Sequence, residues 1–109
     1  MGLFEAGPIE EKKITAEACV HHLFFSDSDY EERGTFIKCN PAIKSKEDRD
    51  AIVQAVNEDR IDVIATDHAP HTLEEKRNNY LRAPSGMPLA QDSLVSLFDN
   101  CLLYTSDAA

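Results

Sequence analysis

The sequence predicts an α/β fold built on a parallel sheet, and three observations predict it. A well-marked amphipathic helix begins at "SKEDRD". A short, unbroken apolar run, Val63 to Ala65, follows that helix. A second amphipathic helix lies near the end of the chain. A strand that follows a helix and is apolar on both faces is the mark of a parallel sheet covered on both sides.

The elements can be justified in order. "ITAEACVHHLFF", Ile14 to Phe25, is rich in apolar and β-branched residues and reads as a strand. Glu17 inside it is costly in a fully buried strand unless it is paired. Adjacent strand residues point to opposite faces, so at most one of His21 and His22 would face a site. "SDSDYEERG" reads as a loop, and "TFIKCNPAIK" as extended chain. The ring of Pro41 pushes Asn40 away from helical angles. Ser45, followed three residues later by Asp48, is a capping-box pattern. Ile52, Ala55 and Val56 then form one apolar stripe, which needs something to cover it. "HTLEEKRNNYLRAPSGMP" reads as a long polar loop of the kind that carries function. The pairs Glu31-Glu32 and Glu74-Glu75 read as solvated surface. Leu94, Val95, Phe98 and Leu102 line the second helix, from about Leu89 to Leu103.

Two strands and two helices do not close a barrel, which needs eight strands. The inventory is too small for its architecture. The expectation is part of a larger protein, with Met1 an internal methionine read as a start. "CLLYTSDAA" fits no pattern of the rest and reads as a tail, 101–109.

Composition narrows the function classes. The chain has 109 residues, 42% of them hydrophobic and 28% charged, enough for one domain with a core. Eleven basic and 20 acidic residues give a net charge of −9. That argues against nucleic-acid binding, which needs cations to neutralise phosphates. No apolar run approaches the ~20 residues of a membrane span. No charged n-region and apolar h-region open the chain. The expectation is a soluble, cytoplasmic protein. Cys19, Cys39 and Cys101 are odd in number and widely spaced. They suggest reduced, packed thiols rather than a disulfide framework or a zinc knuckle.

The chemistry concentrates in "IDVIATDHAPHTLEEK", Ile61 to Lys76. Strands of a parallel sheet point their carboxyl ends at the active-site face. Asp67 follows the strand directly. A carboxylate there can bind a metal or take a proton from a metal-bound water. His68 and His71, flanking Ala69-Pro70, would face a substrate, with Pro70 stiffening the turn.

"ATDHAPHT", with "KCNPAIKSKEDRDAIVQAV" before it and "APSGMPLAQDSLVSLF" after it, closely resembles the C-terminal part of dihydroorotases of the amidohydrolase superfamily. The resemblance covers roughly Leu3 to Asp99. It implies a (β/α)₈ TIM-type barrel, of which this chain supplies about the last two strands, Ile14–Phe25 and Ile61–Thr66, and their helices. On that basis 1–100 is a portion of a metal-dependent barrel. The resemblance makes Asp67 both a zinc ligand and the general base. It makes His71 a ligand of the substrate's carboxylate and Asn40 a contact of the pyrimidine ring. Ser85 and Gly86 become a main-chain binding pair; many relatives carry an aromatic where Ser85 stands. His21 and His22 match a pair not usually assigned as ligands, and stay outside the implied site.

The implied reaction is the reversible conversion of N-carbamoyl-L-aspartate to dihydroorotate in pyrimidine biosynthesis. The implied cofactor is one or two Zn²⁺, most of whose ligands lie outside this chain. Histidine occurs here only at 21, 22, 68 and 71, so the 109 residues alone should be inactive. The implied partners are a small-molecule substrate and further copies of the whole enzyme. Two rival readings share the scaffold: an allantoinase- or hydantoinase-like hydrolase, and a non-catalytic dihydroorotase-like subunit that supports a partner enzyme.

Overall fold

The computed structural model describes residues 3 to 105, with side chains through residue 99. The expectations for Met1, Cys101 and the apolar residues Leu102 and Leu103 concern residues or side chains outside that description. The chain is mixed α/β. Its sheet has two strands, β1 (Glu17–Cys19) and β2 (Val63–Ala65). They run parallel, as the sequence predicts, with Glu17 opposite Val63, Ala18 opposite Ile64 and Cys19 opposite Ala65. The connection between them carries three helices: α1 (Val20–Phe24), α2 (Tyr30–Arg33) and α3 (Lys46–Asn57). Beyond β2 come α4 (Leu73–Lys76) and α5 (Ser93–Thr105).

Both strands are shorter than the predicted runs. The run Ile14–Phe25 yields three strand residues and then turns into α1. A short apolar run has no periodicity that separates a strand from a buried helix turn, and here the helix prevails over the second half. Val20 and Leu23 are each 2% exposed, so the helix has a buried face. Glu17 meets no burial cost, because it lies on the exposed side of β1. β2 is not buried on both faces: Val63 is 42% exposed, and the described residues supply only β1 as a neighbouring strand.

A cluster of polar bonds fixes the start of the sheet. Asp62 accepts from Lys12 Nζ (2.6 Å) and from the Ala16 amide (3.0 Å). These two hydrogen bonds hold the Asp62 carboxyl below the usual carboxylate range, the Lys12 bond first. The amides of Asp62 and Val63 donate to Ala16 O, which sets the register from its first pair.

α3 begins where the sequence places it. Ser45 Oγ accepts from the Asp48 amide at 3.2 Å and closes one of the free donors of the first turn. Its covered stripe is turned from the predicted one: Val53 and Ala55 are buried, while Ile52 and Val56 are half-buried. The segment Thr35–Lys44 is not extended throughout. It starts in a 3-10 turn, Gly34–Ile37, and straightens from Lys38 to a cis Asn40-Pro41 bond.

The predicted loop after β2 contains α4. Thr72 and Glu75 form a reciprocal capping box, and "TLEE" carries that signature. Glu75 is therefore a capping residue as well as surface. The main core cluster is Ile37, Cys39, Ile43 and Met87, with Phe25, Tyr30 and Leu89 packed against it. Each fully buried side chain of this size contributes about 1.5–3 kcal/mol, which is enough to fix the loops that converge there. Among the described residues no helix is long and apolar enough to cross a membrane.

Part of α5 is uncovered: Leu94, Val95 and Phe98 are 63%, 65% and 54% exposed. Exposed apolar patches and free strand edges favour association. The isolated 109-residue chain should therefore self-associate with rising concentration in sedimentation velocity, and Leu94→Glu with Val95→Glu should reduce that association. A monomer at every concentration would show these faces to be inert.

Candidate functional site

The predicted site residues stand at the carboxyl end of the sheet. Asp67 follows β2 by two residues, is exposed, and has a φ of 47°. That left-handed conformation is one that Asp tolerates better than most residues. The turn sends the chain off the strand line, so that His68 runs beside Met87 and the Ala69 amide donates to Met87 O at 3.0 Å. Asp67 acts electrostatically on Cys19, at the end of β1, and on Cys39, next to Asn40. The three segments thus share one neighbourhood.

His71, Ser85 and Gly86 meet directly. His71 Nε2 lies 3.1 Å from Ser85 O. A carbonyl only accepts, so Nε2 carries the proton and the lone pair lies on Nδ1. Gly86 is buried with a φ of 130°. A Cβ there would lie 2.5 Å from Ala69 Cβ and 2.9 Å from Ala69 O. Only glycine fits that approach, which brings the 85–86 backbone against the 69–71 turn. The Gly86 amide donates to Lys38 O at 2.9 Å, tying this corner to the segment that carries Asn40. Asn40 itself is exposed.

His68 is exposed, but its ring is engaged differently from that of His71. Its Nδ1 accepts from the Ala90 amide at 3.1 Å, so it anchors the chain leading to α5. The adjacent histidines also differ from a strand pair. In α1 they lie side by side, ring centroids 4.3 Å apart, and with Cys19 they form a compact donor cluster. A cavity of about 500 Å³ runs along β1 and is lined in part by Cys19, His22 and Pro41. Asp67 and His71 do not line it.

Lys76 is the residue that the sequence reading missed. Its side chain is 5% exposed, and the ammonium donates to Lys38 O (3.1 Å), Pro84 O (2.9 Å) and Gly86 O (3.0 Å). Burial holds its pKa below the ordinary lysine range. A lysine in "LEEKR" carries no sequence sign of burial; only the capping box before it was available as a signal. Lys38 answers from the opposite side, donating from Nζ to Tyr80 O and Ala83 O, both at 2.6 Å.

Lys76→Met would leave Pro84 O and Gly86 O without their donor, while Lys38 O keeps the Gly86 amide, at about 1–3 kcal/mol for each buried group left unpaired. Exchange of the Gly86 amide hydrogen should accelerate at least about tenfold. Unchanged protection would show that the ammonium does not hold the loop.

His21 supplies a pH dependence. Its pKa is lowered from 6.5 to about 4, by burial first and by His22 second, with Asp67 opposing. A base with a depressed pKa binds fewer protons folded than unfolded. The stabilisation is complete above about pH 6.5 and is lost as pH falls toward about 4, on the order of 3 kcal/mol in all. In metal-free buffer, urea midpoints should fall across that window, and His21→Phe should flatten the fall. An equal slope in the variant would remove His21 as its cause.

No family model matches the chain. The chain is 46% identical over 81 residues to the dihydroorotase of Clostridioides difficile strain 630, covering 74% of this chain and 19% of that protein. It is 38% identical over 107 residues to the dihydroorotase of Clostridium acetobutylicum, covering 98% of this chain and 25% of that protein. Its backbone matches the L-hydantoinase (dihydropyrimidinase) from Arthrobacter aurescens with a TM-score of 0.80, at 22% identity, over 87% of this chain and 22% of that one. At that identity the structural likeness speaks for the fold alone. The sequence likeness goes further: the chain belongs to the dihydroorotase family, and it spans about a fifth to a quarter of the length of the curated members it matches.

Proposed function

We propose that these residues are the closing part of a (β/α)₈ barrel that interconverts N-carbamoyl-L-aspartate and dihydroorotate. The observation that carries this reading is the identity to dihydroorotases along nearly the whole chain, joined to a local geometry that gathers the matched residues. His71, Ser85 and Gly86 are in contact, and Asp67 stands at the end of β2.

Asp67 suits a metal-side role. It is exposed and takes part in no ion pair among the described residues. It can offer one oxygen to a cation, whereas a zinc site draws on three or four protein ligands. On this reading the remaining ligands come from the rest of the longer protein. Bound zinc would polarise the ring amide and lower the pKa of its water to about 7. In the hydrolytic direction Asp67 would be the residue that takes a proton from the attacking water and returns it to the leaving ring nitrogen.

His71 offers a positive partner to the substrate's carboxylate once Nδ1 is protonated, because Nε2–H is already spent on Ser85 O. Asn40 supplies an amide to the ring. The main chain at Ser85 and Gly86 offers a rigid edge whose position Lys76 and Lys38 fix. These roles use main chain and side chain differently: replacing Ser85 should matter little, and replacing His71 should raise KM for dihydroorotate.

The test is made on the longer protein that contains these residues, assayed with dihydroorotate and, separately, with hydantoin and allantoin. Turnover of dihydroorotate should dominate, and Asp67→Asn should cut kcat by about 10²–10⁴-fold. The 109-residue chain alone should give no turnover above a zinc-only control. Preference for hydantoin or allantoin would replace the reading with the neighbouring hydrolase class. No turnover of any of the three would favour the non-catalytic subunit.

A further inference from the structure

The chain leaving β1 carries donors that the reading above does not use. Cys19 ends the strand, and His21 and His22 stand in the first turn of α1. One ligand atom from each lies within 4.8 Å of the other two. The imidazole planes are inclined at 47°. His21 is 3% exposed, and neither ring nitrogen has a hydrogen-bond partner among the described residues. Buried polar atoms are nearly always paired, so a ring with both nitrogens unpaired points to a missing partner.

His22 is already oriented. Its Nε2 lies 2.8 Å from Pro41 O. Nε2 must carry the proton there, which leaves the lone pair on Nδ1. A backbone carbonyl holding one ring nitrogen is the usual outer-shell support of an imidazole ligand.

We propose that Cys19, His21 and His22 form a metal site that takes one borderline divalent cation, such as zinc, through a thiolate and two imidazoles. The donor set fits that chemistry: sulfur and imidazole nitrogen suit zinc, and three protein ligands leave a fourth position for water. Zinc–ligand bonds of about 2.0–2.3 Å place tetrahedral donors roughly 3.3–3.7 Å apart. Side-chain rotations close the cluster from its present spacing. Asp67 is near enough to act on Cys19 and His21 electrostatically, and its negative charge favours a cation there. The cavity along β1 reaches Cys19 and His22 and gives an ion passage to them. On binding, one metal–sulfur and two metal–nitrogen bonds form. The ion gives up waters, and the Cys19 thiol proton passes to solvent.

The 109-residue chain is titrated with Co²⁺ and then with Zn²⁺, with far-ultraviolet circular dichroism recorded on every variant. One Co²⁺ per chain should bind, with a thiolate-to-cobalt charge-transfer band and the intense visible bands of a tetrahedral site. Zn²⁺ should displace it, and about one proton should be released for each ion bound. Cys19→Ser should abolish the charge-transfer band. His21→Gln and His22→Gln should each weaken binding by at least about tenfold. Cys39→Ser, Cys101→Ser and His71→Ala should leave the spectrum and affinity unchanged. If Cys19→Ser changes the circular dichroism, the unsubstituted chain decides: Zn²⁺ should slow alkylation of Cys19, mapped by mass spectrometry. A charge-transfer band that survives Cys19→Ser, no band at stoichiometric Co²⁺, or alkylation of Cys19 indifferent to Zn²⁺ would each overturn the proposal.

Discussion

The buried ammonium of Lys76 holds together the corner on which the candidate site rests. It donates to carbonyls of three residues, Lys38, Pro84 and Gly86. Those residues belong to two segments far apart in sequence. Without a shared donor, these carbonyls would face one another across a corner from which water is largely excluded. A buried charge is tolerated only when its hydrogen-bonding capacity is met. An ammonium has three donors, and here all three are used. Lys38 O completes the arrangement by also accepting the Gly86 amide. The placement of Gly86 then follows, and with it the approach to Ala69 and His71. The geometry at His71 and at the 85–86 main chain is thus inherited from a lysine that is itself buried.

Much of the frame was legible in the sequence, and the reasons are local. Ser45 caps α3 because its side-chain oxygen and the Asp48 amide are brought together by the first turn itself. The parallel pairing of β1 and β2 follows from a helix set between two apolar runs. The position of Asp67 just beyond β2 needed only the end of the apolar run and the polar residues after it. Where the reading failed, the deciding contact was distant. The second half of Ile14–Phe25 is helical because Val20 and Leu23 find a buried face, which no count of apolar residues discloses. His68 has the residue type of a site group, yet its partner is the Ala90 amide, 22 positions away. Lys76 sits in an acidic, charged stretch and is buried by carbonyls up to 38 positions distant. α4 was the exception: its capping signature was present and local, and the polar composition around it concealed it.

The sheet explains why the chain is stable in parts and bare in others. Two parallel strands need neighbours on each edge and layers on each face. Here Val63 is open on β2, and Leu94, Val95 and Phe98 of α5 are more than half exposed. By contrast, the loops at the carboxyl end of the strands are well ordered by their own core of Ile37, Cys39, Ile43 and Met87. The loops at the carboxyl end are therefore better satisfied internally than the sheet that bears them, because they gain their shape from one another rather than from layers over the strands.

The register of the sheet brings two kinds of donor to the same edge. Cys19 lies opposite Ala65, so the thiol that ends β1 and the carboxylate two residues beyond β2 share the carboxyl end. Asp67 is exposed, which suits a group that meets solvent, substrate or metal. His21 is the opposite: buried, neutral at physiological pH, and without a partner at either nitrogen among the described residues. An exposed carboxylate costs nothing to leave unbound, whereas an orphan buried imidazole costs roughly 1–3 kcal/mol until something pairs with it. The fold therefore places the stronger demand for a ligand not on the carboxylate that the sequence singles out, but on the cysteine–histidine turn beside it.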